Sequence, residues 1–214
     1  MKFETILWDL NGTLLNDLHV AVSIINRMLK QRDLKQLSIE QYLEVFTFPV
    51  SDYYEQIGFD LVKEPFEIAA FQYISSYNKE VETCLLHKNT LLTLTRFNEL
   101  GYRQFILSAM EQKQLEKIAT KCGITHFFEG LYGLDNHFAR SKVENGRNML
   151  SENGLVPELT LLIGDTLHDY EVAQALGCSC ILIAHGHQSR NRLLKTGTIV
   201  VKSLDQIEIA IKDL

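Results

Sequence analysis

Apolar positions fall into two regimes along the chain. Residues 4–8 (ETILW) read as a short buried strand with Ile6, Leu7 and Trp8 leading into Asp9, and Asn11-Gly12 opens a loop behind it. From Leu18 to about Gln31, Val20, Ile24, Ile25 and Met28 recur on one helical face. Ser38 with Gln41 reads as a capping box, Ser51 as the cap of a short helix ending near Gly58, and Pro65 as the first turn of a helix reaching about Lys79. Between about 17 and 84 the pattern predicts helices and no strand.

The period then changes. Asn89–Leu100 predicts a helix closed by Gly101, and Arg103–Leu107 a strand ending at Ser108. Glu111–Lys121 is a helix, Gly130–Gly133 a short strand and Val143–Asn153 a helix closed by Gly154. Leu159–Ile163 is an apolar strand running into Gly164-Asp165, Asp169–Leu176 a helix closed by Gly177, Ser179–Ala184 a strand and Ile199–Val201 a last short one. Continuous apolar strands alternating with helices predict an α/β fold, a Rossmann-like parallel sheet covered on both faces. The predicted partition is a core of residues 1–15 and 86–214 with an all-helical cap inserted at 16–85. In open parallel sheets ligands bind beyond the C-terminal ends of the strands. Asp9, Ser108 and Asp165 all stand at such ends.

Composition narrows the function. A net charge of -6 and a pI near 5.6 disfavour a nucleic-acid partner. Cys84, Cys122, Cys178 and Cys180 form no CxxC pair and predict reduced thiols. The start MKFETILWDLNGT lacks the uncharged apolar stretch of a signal peptide, and no run is long enough to span a membrane. The expectation is a cytoplasmic monomer or homodimer with no membrane partner.

A carboxylate at a strand end beside a glycine turn, as in Asp9-Leu10-Asn11-Gly12-Thr13, is either a covalent nucleophile or a turn-forming acid. A second strand runs into Gly164-Asp165-Thr166-Leu167-His168-Asp169, whose two acids either cap a helix or join Asp9 in an oxygen-rich Mg²⁺ site. Ser108, with the backbone N–H of Ala109, suits a phosphate oxygen and equally a helix cap. Lys142 stands where such a site needs a cation.

With DLNGT at 9–13, a strand ending in Ser108, Lys142, and GDTLHD at 164–169, the chain resembles the haloacid dehalogenase superfamily over nearly its whole length. The stretch GDTLHDYEVAQALGCSCILIAHGHQS resembles its phosphoglycolate phosphatase-like branch, and the helical insertion resembles that branch's cap. The resemblance implies a hydrolase acting on a small phosphorylated metabolite. Asp9 attacks phosphorus to form an aspartyl-phosphate. Mg²⁺ is held by Asp9, the Asn11 carbonyl, Asp165 and Asp169. Ser108, Ala109 and Lys142 bind the phosphoryl oxygens, with Lys142 also orienting Asp9. Thr13 shapes the same loop and is grouped with the phosphate-binding residues. The cap closes over the substrate.

One position departs. The phosphatase pattern has Asp at the place of Asn11, as the acid that protonates the leaving group and then activates water. An amide exchanges no proton at neutral pH. Another base, with Asp17 and His19 as candidates, a low-activity phosphometabolite-binding protein, and a deliberate replacement made to trap substrate all stand as explanations, as does a dehalogenase. His185 and His187 read as a rim loop rather than zinc ligands. Trp8 and the run His126, Phe127, Phe128 read as packing. Phe46, Phe48, Tyr53 and Tyr54 read as cap packing, with a substrate pocket as the other reading.

Overall fold

The computed structural model describes residues 2–134 and 142–214. In chain order the elements are β1 (Thr5–Trp8), β2 (Leu15–Asn16), α1 (Leu18–Gln31), α2 (Ile39–Val45), α3 (Val50–Gln56), α4 (Phe66–Glu80), β3 (Leu85–Leu86), α5 (Thr90–Glu99) and β4 (Arg103–Glu111). Then follow α6 (Gln112–Lys121), β5 (Gly130–Leu134), α7 (Lys142–Glu152), β6 (Thr160–Gly164), α8 (Leu167–Leu176), β7 (Ser179–Ile183), α9 (Arg190–Leu193), β8 (Ile199–Val201) and α10 (Ile207–Ala210).

Six strands form one parallel sheet in the order β5-β4-β1-β6-β7-β8. β1 lies between β4 and β6, with Trp8 opposite Ile106 on one side and Ile163 on the other. The chain leaves β1 towards β4 and β5, then returns past it to β6, so the crevice where strand order reverses opens above Asp9. Side chains of β1 alternate faces: Ile6 and Trp8 pack with Leu94, Phe97, Leu115 and Ile207, whereas Leu7 packs with Met149, Val172 and Leu176. Burial on both faces explains why these strands read as unbroken apolar runs. The Rossmann-like α/β expectation holds.

α1–α4 surround an apolar cluster of their own, including Ile24, Ile25, Met28, Tyr42, Tyr53, Tyr54 and Phe59. The chain enters and leaves this insertion through an antiparallel pair, Leu15 opposite Leu86 and Asn16 opposite Leu85. Two-residue strands carry too little periodicity to be visible in sequence. The insertion docks on the loop after β7: Gln188 Nε2 donates to Phe46 O at 2.8 Å, and Ser189 N to Leu43 O at 3.2 Å.

Several boundaries differ from expectation. β4 continues past Ser108 to Glu111 with a register irregularity, because β5 keeps pairing with it as far as Leu134. α6 therefore starts at Gln112, and Ser108 caps no helix. α8 begins at Leu167, not Asp169: Thr166 is the N-cap and Asp169 sits third in the helix, completing a capping box. Lys142 belongs to α7 itself rather than to a loop before it. Ser51 lies inside α3, whose N-cap is Pro49, and Pro65 is the N-cap of α4 rather than a residue of its first turn. The capping box of Ser38 and Gln41 is present as expected. All four cysteines are free. Among the described residues no helix is long and apolar enough to cross a membrane.

Candidate active site

β1 delivers Asp9 to the crevice, where its backbone N–H donates to Ile163 O at 2.9 Å. β6 delivers Asp165, and the first turn of α8 delivers Asp169. One carboxylate oxygen from each of Asp9, Asp165 and Asp169 lies within 4.8 Å of the others, and all three residues are buried. Lys142 Nζ reaches in from α7 to Asp9 Oδ1 at 2.5 Å and Asp169 Oδ1 at 2.6 Å.

The acids differ in how many lone pairs remain. Asp169 accepts from Lys142 on one oxygen, and from the N–H groups of Asp165 and Thr166 and the Thr166 hydroxyl on the other. Three of these donors crowd Oδ2, while Oδ1 accepts from Lys142 alone and keeps acceptor capacity. Asp165 accepts from the Thr13 hydroxyl at 2.9 Å and from the His187 N–H at 2.6 Å. Burial pushes Asp9 well above the usual carboxylate range, with Lys142 pulling the other way, and burial raises Asp165 to about 7. Asp169 stays low: burial opposes this, and the Lys142 ammonium overcomes it.

A second group, mostly unforeseen from sequence, flanks Asn11. Asp17 Oδ1 accepts the Gly12 N–H at 2.8 Å and His187 Nε2 at 3.1 Å, while Oδ2 accepts Asn11 Nδ2 at 3.0 Å and the Tyr77 hydroxyl. Asn11 Nδ2 also donates to the Tyr77 oxygen at 2.5 Å. A carboxylate can only accept, so the amide nitrogen of Asn11 must face Asp17, and its oxygen faces Ser108. Both N–H bonds of Asn11 are thus committed. Burial alone would lower His187, but the Asp17 carboxylate beside it raises it to about 9; its Nδ1 lies 3.0 Å from the Tyr42 oxygen. Burial likewise opposes ionisation of Asp17, and His187 outweighs it and holds Asp17 low. Gly12 adopts a left-handed φ of 74°, and a side chain there would collide with Asp165 and His187.

Among the described residues, four buried carboxyl groups (Asp9, Asp17, Asp165, Asp169) thus surround Lys142 and His187. The oxygen donors of Asp9, Asp165 and Asp169 fit a hard divalent cation such as Mg²⁺, whose charge would favour their ionised forms.

The structure brings together Asp9, Asn11, Ala109, Lys142, Asp165 and Asp169 around a cavity of about 210 Å³. Thr13 is fully buried with its hydroxyl on Asp165. Ser108 Oγ accepts the Met110 N–H at 3.1 Å and donates to Asn11 Oδ1 at 3.4 Å. His19 is exposed on α1, outside this cavity. His185 Nε2 meets the Thr13 carbonyl at 3.0 Å, and its ring stacks on His87, so the two loop histidines share no metal site. Trp8 is core, its indole N–H donating to Gln104 at 2.9 Å. Phe127 and Phe128 pack against the same core, while His126 is exposed. Tyr42 and Tyr77 carried no readable signal: a tyrosine in an amphipathic helix looks like packing until its hydroxyl's partner is known.

A buried carboxylate at the end of β1, a lysine on the helix between β5 and β6 and an acid pair after β6 meet on one Rossmann-like sheet. The family model for haloacid dehalogenase-like hydrolases matches residues 6–183, and the chain belongs to that family. It is 24% identical over 201 residues to a 5'-nucleotidase of Pseudomonas aeruginosa, covering 90% of this chain and 88% of that one. It is 22% identical over 196 residues to a phosphoglycolate phosphatase of Pasteurella multocida, covering 87% and 88%. The crystal structure of a predicted phosphatase from Clostridium acetobutylicum superposes with a TM-score of 0.85 at 18% identity, covering the whole of both chains.

Proposed function

We infer that the chain is a Mg²⁺-dependent phosphohydrolase acting on a small phosphorylated metabolite, with Asp9 as nucleophile. The observation that supports this most directly is the Asp9 carboxylate, buried at a strand end, paired with Lys142, and within reach of Asp165 and Asp169. The similar phosphatase of Pasteurella multocida and nucleotidase of Pseudomonas aeruginosa agree with phosphoryl chemistry.

Asp9, the backbone carbonyl of Asn11 and Asp165 would hold the metal, with Asp169 supporting it directly through Oδ1 or through water. The ion would neutralise charge on Asp9 and on the phosphoryl group, lowering the electrostatic barrier to anionic attack. One Asp9 oxygen bonds to phosphorus as the bond from phosphorus to the leaving oxygen breaks, its electron pair departing with that oxygen. Water then cleaves the aspartyl-phosphate, releasing phosphate and restoring the carboxylate. Lys142 orients Asp9 and, with the Ala109 N–H, binds phosphoryl oxygens. α1–α4 would serve as the cap over residues 1–15 and 86–214, excluding water from the reaction.

Asn11 shapes this chemistry. Its N–H bonds are held by Asp17 and Tyr77, so it gives the leaving oxygen neither a proton nor a hydrogen bond. Asp17 is no substitute, since its four acceptor contacts keep it ionised and engaged. Turnover should therefore favour leaving groups that are stable as anions, such as acyl or aryl oxygens. Asn11 also supports a second reading, a phosphometabolite-binding protein with little turnover. Carbon–halogen displacement would have no use for Asp165 and Asp169.

The deciding experiment is phosphate release from acetyl phosphate with Mg²⁺, alongside acid-quench trapping of a phosphorylated chain. The expected result is Mg²⁺-dependent release and a covalent phosphate, both lost in Asp9→Asn. Unchanged turnover in Asp9→Asn would remove Asp9 from the mechanism. Binding of phosphate without any release would favour the second reading.

A further inference from the structure

Next to the carboxylate cavity lies a chamber of about 340 Å³ walled by the insertion. The two share Tyr42, Phe46, Phe48, Tyr73, Ile74 and Ala109, so they adjoin across these side chains. Phe46 stacks on Tyr42 at 5.1 Å and meets Phe48 and Tyr53 edge-on at 5.4 and 5.3 Å. Phe48 crosses to the core and stacks on His168 at 4.6 Å.

Two features of this chamber point to its occupant. First, none of the described residues lining it is charged. Among the described residues, the cations at the adjoining cavity are already engaged, Lys142 by Asp9 and Asp169 and His187 by Asp17. An anionic leaving group, such as a carboxylate or a second phosphate, would enter an apolar space with no counter-charge among those residues, at a high desolvation cost. Second, Tyr53 is among the lining residues, and its buried hydroxyl has no hydrogen-bond partner among the described residues. Interiors close-pack, and buried polar groups are ordinarily paired. A space of this size walled by aromatic and aliphatic side chains, beside a cluster of carboxylates, has the character of a ligand site.

We propose that this chamber receives an uncharged aromatic ring, and that the substrates are phosphomonoesters whose non-phosphoryl part is such a ring. The inference rests on the phosphohydrolase reading for the placement of the phosphoryl group beside Lys142. It joins the chemistry at Asn11, because an aryl oxygen leaves without a proton more readily than an alkyl one. Ring faces favour offset and edge-on partners, which the walls supply.

Binding of non-hydrolysable phosphonates tests this without relying on turnover. Benzylphosphonate, phosphonoacetate and methylphosphonate carry a ring, a carboxylate and neither. Their affinities for the Mg²⁺-loaded chain are compared by calorimetry, alongside phosphate release from acetyl phosphate. Burial of the ring should make benzylphosphonate bind at least about tenfold tighter than methylphosphonate, with phosphonoacetate no tighter than methylphosphonate. Ala70 lines the chamber from α4, and Ala70→Phe should bring the benzyl-to-methyl ratio to about one. Equal binding of benzyl and methyl compounds, tighter binding of phosphonoacetate, or an Ala70→Phe ratio left unchanged would each overturn the assignment. A preserved benzyl preference without release from acetyl phosphate would refute the hydrolase reading and leave the ring site standing.

Discussion

At the scale of single residues, Asn11 is where one atom matters most. Converting it to a carboxylic acid places an acid 3.0 Å from Asp17 with Tyr77 between them. Two carboxylates that close cannot both ionise easily, so the new group would hold a proton near neutral pH. Asn11→Asp should raise the hydrolysis of alkyl phosphate esters on the order of 10²-fold or more, the usual worth of a general acid. Acetyl phosphate, whose leaving group needs no proton, should gain far less; equal gains on both would argue against missing proton transfer as the limitation. The neighbouring ion pair sets a pH dependence. His187 rises from an ordinary 6.5 to about 9 on folding. Its contribution to stability is present below 6.5 and is lost as pH climbs through 9. Metal-free protein should lose stability across that window in urea melts, and His187→Gln should flatten the slope.

At the scale of elements, short turns hold the carboxylates, and these turns tolerate little added volume. A Cβ on Gly186, in the loop after β7, would run into the Asp165 carboxylate. Gly186→Ala should therefore weaken Mg²⁺ binding by at least about tenfold, seen by calorimetry, while the far-ultraviolet spectrum stays native. The α8 cap joins fold and site in one hydroxyl, since Thr166 caps the helix and donates to Asp169. Thr166→Ala should lose about 1 kcal/mol in denaturant melts. Thr166→Ser keeps the hydroxyl and should recover most of it.

Over the whole molecule, the clustering of buried carboxyl groups would couple metal binding to folding. A ligand that binds only the folded chain stabilises it by about 2.7 kcal/mol at a hundredfold excess over its Kd. Adding Mg²⁺ should raise the melting temperature. Because the buried Asp165 titrates near 7, the rise should be larger at pH 8 than at pH 6, where a proton must first be displaced. A shift independent of pH would place the ion elsewhere.

The sequence by itself determined the sheet, because strands buried on both faces must be continuously apolar, and it placed Asp9 and Asp165 at their ends. Helices with caps and one-sided apolar faces were legible for the same reason: α1 spans Leu18–Gln31, as its period requires. It also showed that residue 11 is an amide. Only the tertiary structure decided what that amide does, because Asp17, Tyr77 and His187 reach Asn11 or its loop from 6, 66 and about 170 residues away. It likewise removed one of the two readings of Ser108, the helix cap, by placing it inside a strand, and made Phe46, Phe48 and Tyr53 walls of a chamber as well as packing residues. Local pattern reports which face of an element is buried; which elements meet there, and which hydroxyl or carboxylate finds a partner, depends on contacts between residues remote in sequence.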